Sequence, residues 1–324
     1  MSDVTASAYP VSATERDSWI MSQRPPHNVV DPLRPYAFLL EEECSRNGTL
    51  VPTTTIFLTN RECPWRCVMC DLWRNTLTET VPVGAIPTQI EYALSQIGPA
   101  RQIKLYNSGS FFDPRAIPDA DYPAIANQVC GFERVIVESH PALVGERSLR
   151  FQEILRSPLE IAMGLETAHE ETLVRLNKRM TLDQFRAAAT FLKRAGMELR
   201  VFILIKPPFM DEEDGLAWAK RSIDFAFDCG AGVVSLIPTR GGNGAMETLV
   251  AQNAFAPPSF ETIEAAISYG MSLKRGRVFV DLWDIALFAK CSACCEPRVQ
   301  RLQAMNRQQI IPATIPCSIC DGGS

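Results

Sequence analysis

The sequence predicts an α/β protein whose core is an open, partial barrel of parallel strands. Short apolar runs alternate with amphipathic helical runs from residue 53 to residue 280, which is the pattern of a parallel sheet with helical crossovers. The strand candidates number six or seven, too few for a closed eight-stranded barrel. A doubly wound sheet is the alternative that this pattern leaves open.

The strand candidates are short and mostly apolar. They are residues 53–59, 102–106, 134–138, 159–164, 198–205, 232–237 and 277–280. Polar side chains stand at or just after the ends of several of them, namely Asn107, Glu138, Glu166, Lys206 and Thr239. Because ligands of parallel α/β sheets collect at the C-terminal ends of the strands, we expect the functional site there.

The clearest helical runs lie between these strands and carry apolar residues at helical spacing. They are residues 87–97, 182–195, 215–229 and 259–274. Gly196 and Gly230 follow two of them and are typical C-terminal stops.

The chain divides into three predicted parts. Residues 1–50 hold prolines at positions 25, 26, 32 and 35, which exclude one continuous helix and favour an extended N-terminal arm on the main domain. Residues 51–289 form the barrel, and residues 290–324 form a small cysteine-rich extension.

The composition fits a globular protein, since 46% of the 324 residues are hydrophobic. No apolar run approaches the roughly 20 residues that a membrane helix needs, and the N-terminus lacks signal-peptide features, so we expect a soluble cytoplasmic protein with no membrane contact. The net charge of -5 argues against an extended basic surface and favours a small substrate. A local basic patch can still bind a folded RNA.

Cys63, Cys67 and Cys70 lie on one loop after the first strand candidate, with three and then two residues between them. Three thiolates on a short loop can bind three corners of an iron–sulfur cubane and leave the fourth iron open to another ligand. A closed zinc site would need a distant fourth ligand, because no other cysteine or histidine is near in the sequence. The spacing therefore favours a [4Fe-4S] cluster over zinc or a trio of free thiols.

A second set of cysteines forms two CxxC pairs, Cys291 with Cys294 and Cys317 with Cys320. Such pairs are typical of a closed four-thiolate zinc site or of an auxiliary iron–sulfur cluster, and we favour zinc. The helical run between the pairs carries Arg298, Arg301 and Arg307. These arginines indicate either a solvated helix face or a contact to RNA phosphates.

The CxxxCxxC loop after the first strand resembles that of the radical S-adenosylmethionine superfamily, over residues 50–290. This resemblance implies a partial (β/α)6 barrel and S-adenosylmethionine bound at the open iron. One electron then splits the cosubstrate to methionine and a 5'-deoxyadenosyl radical, which abstracts hydrogen from the substrate. Met69 stands where the superfamily often has an aromatic residue, and its soft apolar side chain can also shield a cluster.

The resemblance also assigns cosubstrate contacts. The turn after the second strand candidate stands where the superfamily receives the methionyl ammonium, and it consists of Asn107, Ser108, Gly109 and Ser110. It lacks the usual acidic residue of that motif. Glu166 is expected to bind the ribose hydroxyls, and the backbone of Ile237 is expected to border the adenine.

Two basic residues at strand ends are candidates for catalytic contacts. Lys206 precedes a rigid Pro-Pro corner and is expected to bind a carboxylate of methionine or of substrate, and Arg240 is expected to face the substrate. His140 and His169 also follow strand ends, but for both a helix-start or loop role is favoured.

Four sequence segments resemble those of the Elongator-catalytic-subunit-like branch of the superfamily, and within it those of the radical subunits of archaeosine synthases. They are residues 106–111, 164–167, 175–178 and 204–208, and the CxxC pairs accompany them. The resemblance implies a lyase that cleaves the lysine carbon–nitrogen bond of a lysine-modified 7-deazaguanine in tRNA. It also implies a one-electron reductant, such as flavodoxin or ferredoxin, and a partner subunit that prepares the substrate.

Two other functions remain open from the sequence. One is a radical enzyme acting on a small metabolite or biosynthetic intermediate, which the acidic charge favours. The other is a non-catalytic protein that binds a partner through two zinc sites.

Overall fold

A computed structural model describes residues 8–321, and its centre is one eight-stranded sheet whose strands lie in chain order. The strands are β1 Ala37–Cys44, β2 Leu50–Phe57, β3 Gln102–Tyr106, β4 Arg134–Ser139, β5 Leu159–Glu166, β6 Glu198–Ile205, β7 Val233–Pro238 and β8 Arg277–Val280. β1 runs antiparallel to β2, and β2 to β8 are parallel to one another. The predicted α/β partial barrel is confirmed.

Helices connect the parallel strands, precede β1 and follow β8. They are α1 Ala13–Gln23, α2 Ala85–Gln96, α3 Tyr122–Gln128, α4 Glu146–Ile154, α5 Glu170–Arg175, α6 Leu182–Arg194, α7 Glu212–Asp228, α8 Ala245–Ala251, α9 Phe260–Ser272, α10 Ser292–Gln308 and α11 Ser318–Asp321. Gly196 and Gly230 have positive φ angles after α6 and α7, as their sequence positions predict. Among residues 8–321, no helix is long and apolar enough to cross a membrane.

The N-terminal region is more regular than the extended arm that its prolines suggest. Ser12 caps α1 by accepting a hydrogen bond from the Glu15 amide. The prolines lie after this helix, and β1 then adds an antiparallel edge strand to β2. Proline interrupts a helix at its own position and in the turn before it, so it leaves more distant segments free to form a helix and a strand. Residues 1–7 of the predicted arm lie outside the described part of the chain.

The two faces of the sheet differ in character. Apolar strand residues such as Val201 and Ile203 pack towards the helices in the main core. Side chains at alternate strand positions point into the barrel, and several of them are charged near the N-terminal ends of the parallel strands. There the buried Arg200 donates to Glu43 at 2.5 Å and to Glu160 at 2.6 Å, and Lys104 lies 2.7 Å from Glu43. This ion-pair network fills one end of the barrel and leaves the other for a ligand.

Helix α10 contacts both edge strands of the open sheet, β8 and β1. The side-chain amides of Asn306 and Gln309 each exchange two hydrogen bonds with the backbone of β8, at Val280 and Val278. On the other edge, Arg307 pairs with Glu42 of β1 at 2.6 Å. The amides satisfy backbone groups that an edge strand would otherwise expose, so the C-terminal extension completes the barrel wall.

Candidate active site

The C-terminal ends of β2 to β8 form one edge of the sheet, which we call the C-terminal edge. Three non-glycine residues at this edge have left-handed backbone conformations: Ser108 at φ 57°, Glu166 at φ 66° and Lys206 at φ 52°. Each directly ends or follows a parallel strand. Such conformations cost energy and collect at functional sites, and here they turn the chain sharply at neighbouring strand ends.

The cysteine loop, residues 63–70, follows β2 at this edge and is held by contacts from distant parts of the chain. The amide of Asn243 donates to the carbonyls of Val68 at 2.8 Å and Cys70 at 3.0 Å. The Val68 amide donates to the carbonyl of Leu176 at 3.0 Å. The loop therefore has a fixed backbone that can present its three thiols together.

Cys67 is buried, and Cys63 and Cys70 are half-buried. Burial raises the pKa values of Cys63, Cys67 and Cys70 to about 12 each. The loop thiols are therefore protonated at neutral pH unless a metal takes the place of the protons. Three neighbouring thiols on one loop that ionise only with a metal fit the predicted cluster ligands.

A buried cation stands beside these thiols. Burial opposes the charged form of Lys178, but the Glu166 carboxylate and the neighbouring Cys67 and Cys63 outweigh it and raise the Lys178 pKa. Its ammonium lies 2.7 Å from Oε1 of Glu166. A side chain at Gly164 would collide with both groups, so the glycine provides the space for this pair. A positive charge here can offset the negative charge of thiolates bound to a cluster.

The turn at residues 107–110 contacts the cysteine loop directly. A Cβ atom built on Gly109 would lie 3.2 Å from the Cβ of Cys63, so the two backbones approach closely. Asn107 is fully buried, and both polar atoms of its side chain lack a hydrogen-bond partner. A buried side-chain amide without partners is costly, and a ligand with donors and acceptors would satisfy it.

The acidic residue that is missing from this turn has a substitute on the next strand. The Glu138 carboxylate accepts hydrogen bonds from the backbone N–H groups of Asn107 at 2.6 Å and Gly109 at 3.3 Å. Burial raises the Glu138 pKa to about 7, although these backbone donors act in the opposite direction. A carboxyl group thus stands against the turn where a cation is expected.

The two basic candidates already have partners. Lys206 is buried against α7, and its ammonium lies 2.7 Å from Glu212. Arg240 pairs with Asp281 and donates to the Trp283 carbonyl at 2.7 Å. Their predicted contacts to a carboxylate or to substrate stay predictions, as does the adenine contact of Ile237, which packs beside a smaller core cluster near the cysteine loop.

Both histidines at strand ends begin short helices, as expected. Nδ1 of His140 accepts from the Ala142 amide at 3.1 Å, and Nδ1 of His169 accepts from the Thr172 amide at 3.2 Å. Burial lowers the His140 pKa to about 3, so this ring is neutral. It stacks on Trp65 of the cysteine loop with 3.8 Å between ring centroids.

The second cysteine set forms a compact group at the start of α10. Sγ of Cys291 lies 3.8 Å from that of Cys317, and Sγ of Cys294 lies 3.7 Å from that of Cys320. All four sulfurs are within 4.8 Å of one another. One tetrahedral zinc ion with bonds of about 2.3 Å requires sulfurs about 3.8 Å apart.

Cys63, Cys67 and Cys70 form no such compact group among residues 8–321. Cubane ligands each bind a different iron, so their sulfurs need not lie within reach of a single ion.

Two of the three arginines on α10 are buried and face protein rather than solvent. Arg298 donates to Glu261 at 2.5 Å and Glu264 at 2.7 Å, and Arg301 donates to the Ala313 carbonyl at 3.0 Å. This arrangement is neither a solvated helix face nor a contact to RNA phosphates, which were the two alternatives that the sequence left open. They join α10 to α9 and to the returning tail.

The sequence did not single out three residues that the fold brings to the site. In the sequence, Glu138 was recognised only as a polar residue at a strand end, and Lys178 only as part of segment 175–178, which resembles the family. Asn243 lay in a glycine-rich turn with no feature to separate it from an ordinary loop. Each acts on residues far away in sequence, and a local pattern carries no signal of such contacts.

No protein-family model matches the chain. An uncharacterized protein of Methanocaldococcus jannaschii is 25% identical over 246 residues, which are 71% of this chain and 67% of that protein. Archaeosine synthase subunit beta of Methanosarcina acetivorans is 28% identical over 194 residues, so this chain spans 56% of that subunit's length. Among solved structures, archaeal Elp3 of Methanocaldococcus infernus matches with a TM-score of 0.50 and 16% identity, over 70% of this chain and 63% of Elp3.

The eight-stranded partial barrel is the fold of archaeal Elp3, and it holds the cysteine loop at its C-terminal edge. The sequence relatives of the chain include archaeosine synthase subunits.

Proposed function

We propose that this enzyme cleaves S-adenosylmethionine at a [4Fe-4S] cluster and acts as a lyase on a modified 7-deazaguanine nucleoside in tRNA. The observation that carries the cosubstrate site is Asn107, fully buried with no partner for either polar atom, on a turn that touches Cys63. An amide of this kind requires a ligand with both donors and acceptors. The methionyl ammonium and carboxylate of S-adenosylmethionine supply them.

The chain's residues divide the work of holding the cluster and the cosubstrate. Cys63, Cys67 and Cys70 would bind three irons and leave one open. When bound, the cluster and S-adenosylmethionine supply a 5'-deoxyadenosyl radical that removes a hydrogen atom from the substrate. The protein's part is to position these groups and keep water away from them.

The charges of the side chains around the cysteine loop suit different parts of S-adenosylmethionine. The Glu138 carboxyl and the carbonyls of the turn at residues 107–110 suit an ammonium. Glu166 suits the paired hydroxyls of a ribose. Lys178 suits a carboxylate, and its hydrogen bond to Glu166 would fix the orientation of both side chains.

The second metal site is proposed to hold zinc. The sulfur separations of 3.7 and 3.8 Å fit one tetrahedral ion. The zinc ion would join Cys291 and Cys294, at the start of α10, to Cys317 and Cys320 and so fix the tail that follows α10. Its role in this proposal is structural.

The substrate assignment rests on similarity to the archaeosine synthase subunit. In the proposed reaction the lysine carbon–nitrogen bond breaks after hydrogen removal, and the nitrogen stays on the nucleoside as part of an amidine. Arg240, at the partly exposed end of β7, remains the better placed of the two basic candidates for the lysyl carboxylate, because Lys206 is buried with Glu212. A second subunit would attach the lysine, and a flavodoxin or ferredoxin would donate the electron.

The test begins with anaerobic reconstitution of iron and sulfide, reduction with dithionite and detection of 5'-deoxyadenosine by mass spectrometry. Lysine-modified tRNA and the corresponding free nucleoside are then supplied separately, and their masses are followed. Formation of 5'-deoxyadenosine with loss of the lysyl group from tRNA supports the proposal. Turnover of the free nucleoside alone would favour the small-metabolite enzyme, which the net charge of -5 also fits.

A further inference from the structure

Trp283 is exceptional among the five tryptophans of the chain because 67% of its surface is exposed. Trp19 and Trp73 are buried, and Trp65 and Trp218 are half-buried. An indole in water contributes little to folding, because its stabilising effect comes from burial. A large aromatic side chain kept at the surface is typical of a binding site.

The backbone beneath this exposed ring is fixed. The Trp283 amide donates to Oδ1 of Asp281 at 3.0 Å, and its carbonyl accepts from Arg240 at 2.7 Å. The following turn places Ile285 and Phe288 in the main core. The indole is therefore presented from a rigid support, which reduces the entropy lost when a partner binds.

Trp283 lies on the same edge of the sheet as the cysteine loop. The Asp281 amide continues the pairing of β8 with β7 by donating to the Leu236 carbonyl at 2.8 Å, so the turn begins at the C-terminal end of β8. The loop after β7 is joined to the region after the cysteines by Arg74, which donates to the Gly242 carbonyl at 2.7 Å.

The opposite side of this edge is covered by the N-terminal helix. Trp19 and Ile20 of α1 are buried in a cluster with Val68 of the cysteine loop, Leu176 and Leu204. These partners lie at or after the ends of β5 and β6. A large substrate therefore has its open approach on the side of β8, where Trp283 stands.

We propose that Trp283 is a stacking platform for a nucleobase of the RNA that carries the reacting nucleoside. This inference rests on the proposed function and adds the surface on which the RNA lies. Exposed aromatic rings beside guanidinium groups are typical of contacts to unpaired bases, and Arg240 stands directly against the Trp283 backbone. A protein-binding surface would instead require a broad apolar centre, whereas the two exposed apolar side chains of this turn, Trp283 and Leu287, are bordered by Asp281, Asp284 and Arg240.

The test compares Trp283→Ala, Trp283→Phe and the matched control Leu287→Ala, whose side chain is 77% exposed on the same turn. The probe is a labelled, unmodified tRNA transcript, and its affinity for the reconstituted enzyme is measured by fluorescence anisotropy at fixed salt. We expect Trp283→Ala to bind about fivefold or more weakly, since stacking of one base contributes this much. Trp283→Phe and Leu287→Ala should bind within about twofold of the wild type. All variants should form 5'-deoxyadenosine without RNA at the wild-type rate.

Three results would overturn the inference. Unchanged affinity of Trp283→Ala would remove the stacking role and leave the proposed reaction intact. Equal losses in Trp283→Ala and Leu287→Ala would show that the turn as a whole contacts the RNA and that the indole has no special stacking role. Failure of the wild-type enzyme to bind tRNA would remove RNA from the proposed function, and the stacking role with it.

Discussion

The ammonium of Lys178 lies 2.7 Å from Oε1 of Glu166, in space that a side chain at residue 164 would occupy. Glu166 ends β5, and Lys178 reaches it from the turn after α5. The pair joins a residue suited to ribose to an ammonium beside the thiols of the cysteine loop, on a side chain that is 12% exposed. Gly164 thus has a steric role in the site although it carries no chemical group.

Gly164→Ala should impair cosubstrate binding without preventing folding. The new Cβ would collide with Oε1 of Glu166 and lie 2.6 Å from Nζ of Lys178, so both side chains must move. We expect about tenfold or more weaker binding of S-adenosylmethionine, measured by calorimetry on the reconstituted protein. Gly131→Ala is the matched control, because no atom lies within 4 Å of its added Cβ. Wild-type affinity in the Gly164 variant would contradict this role of the pair.

The two cysteine sets should lose different metals when mutated. Cys67→Ala removes a cluster ligand, so iron incorporation and 5'-deoxyadenosine formation should be abolished. Cys317→Ala should lower zinc content and increase proteolysis of the tail while iron content stays at the wild-type level. Metal analysis and limited proteolysis measure both effects. Cosubstrate cleavage by the Cys67 variant at the wild-type rate would refute the cluster assignment.

Asn243→Ala should weaken the hold on the cysteine loop. The amide supports two loop carbonyls, and its Oδ1 accepts from the Met246 amide at 2.8 Å. Loss of these buried contacts should lower the free energy of unfolding by about 1–3 kcal/mol and speed the release of iron to a chelator. Asn28→Ala removes an exposed side-chain contact and serves as the control. Equal rates of iron release in the two variants would show that the loop does not depend on Asn243.

Glu43 should make stability depend on acid pH. Burial by itself raises the Glu43 pKa, but Arg200 and Lys104 outweigh it and hold the pKa well below the ordinary carboxyl value of 4.5. The ionised form therefore contributes stability above that value, and the contribution is lost as pH falls below it. Glu43→Gln should lower the free energy of unfolding at pH 7 by about 3–5 kcal/mol, because it leaves buried cations unpaired.

Denaturant unfolding at about pH 7 and about pH 4 tests this dependence. The difference between wild type and Glu43→Gln should shrink at the lower pH. Glu133→Gln, in an exposed pair with Arg101, should change stability at neither pH. A constant difference for Glu43→Gln at both pH values would contradict the proposed ionisation.

The sequence by itself determined the alternation of strands and helices and the positions of the two cysteine sets. The strands could be recognised because a buried parallel strand is mostly apolar, and the cysteine loop because its three cysteines lie within eight residues. The pairing of Cys291 and Cys294 with Cys317 and Cys320 was also readable, since each CxxC unit is local.

Only the tertiary structure decided which side chains meet around the cysteine loop. Glu138 lies on β4, Lys178 on the turn after α5 and Asn243 on the loop after β7, and the buried pairing of Lys206 with Glu212 depends on how α7 packs. It also showed that α10 completes the barrel wall and that Trp283 remains exposed beside it. These relationships depend on distance in space between residues remote in sequence, whereas periodicity and spacing report only local geometry.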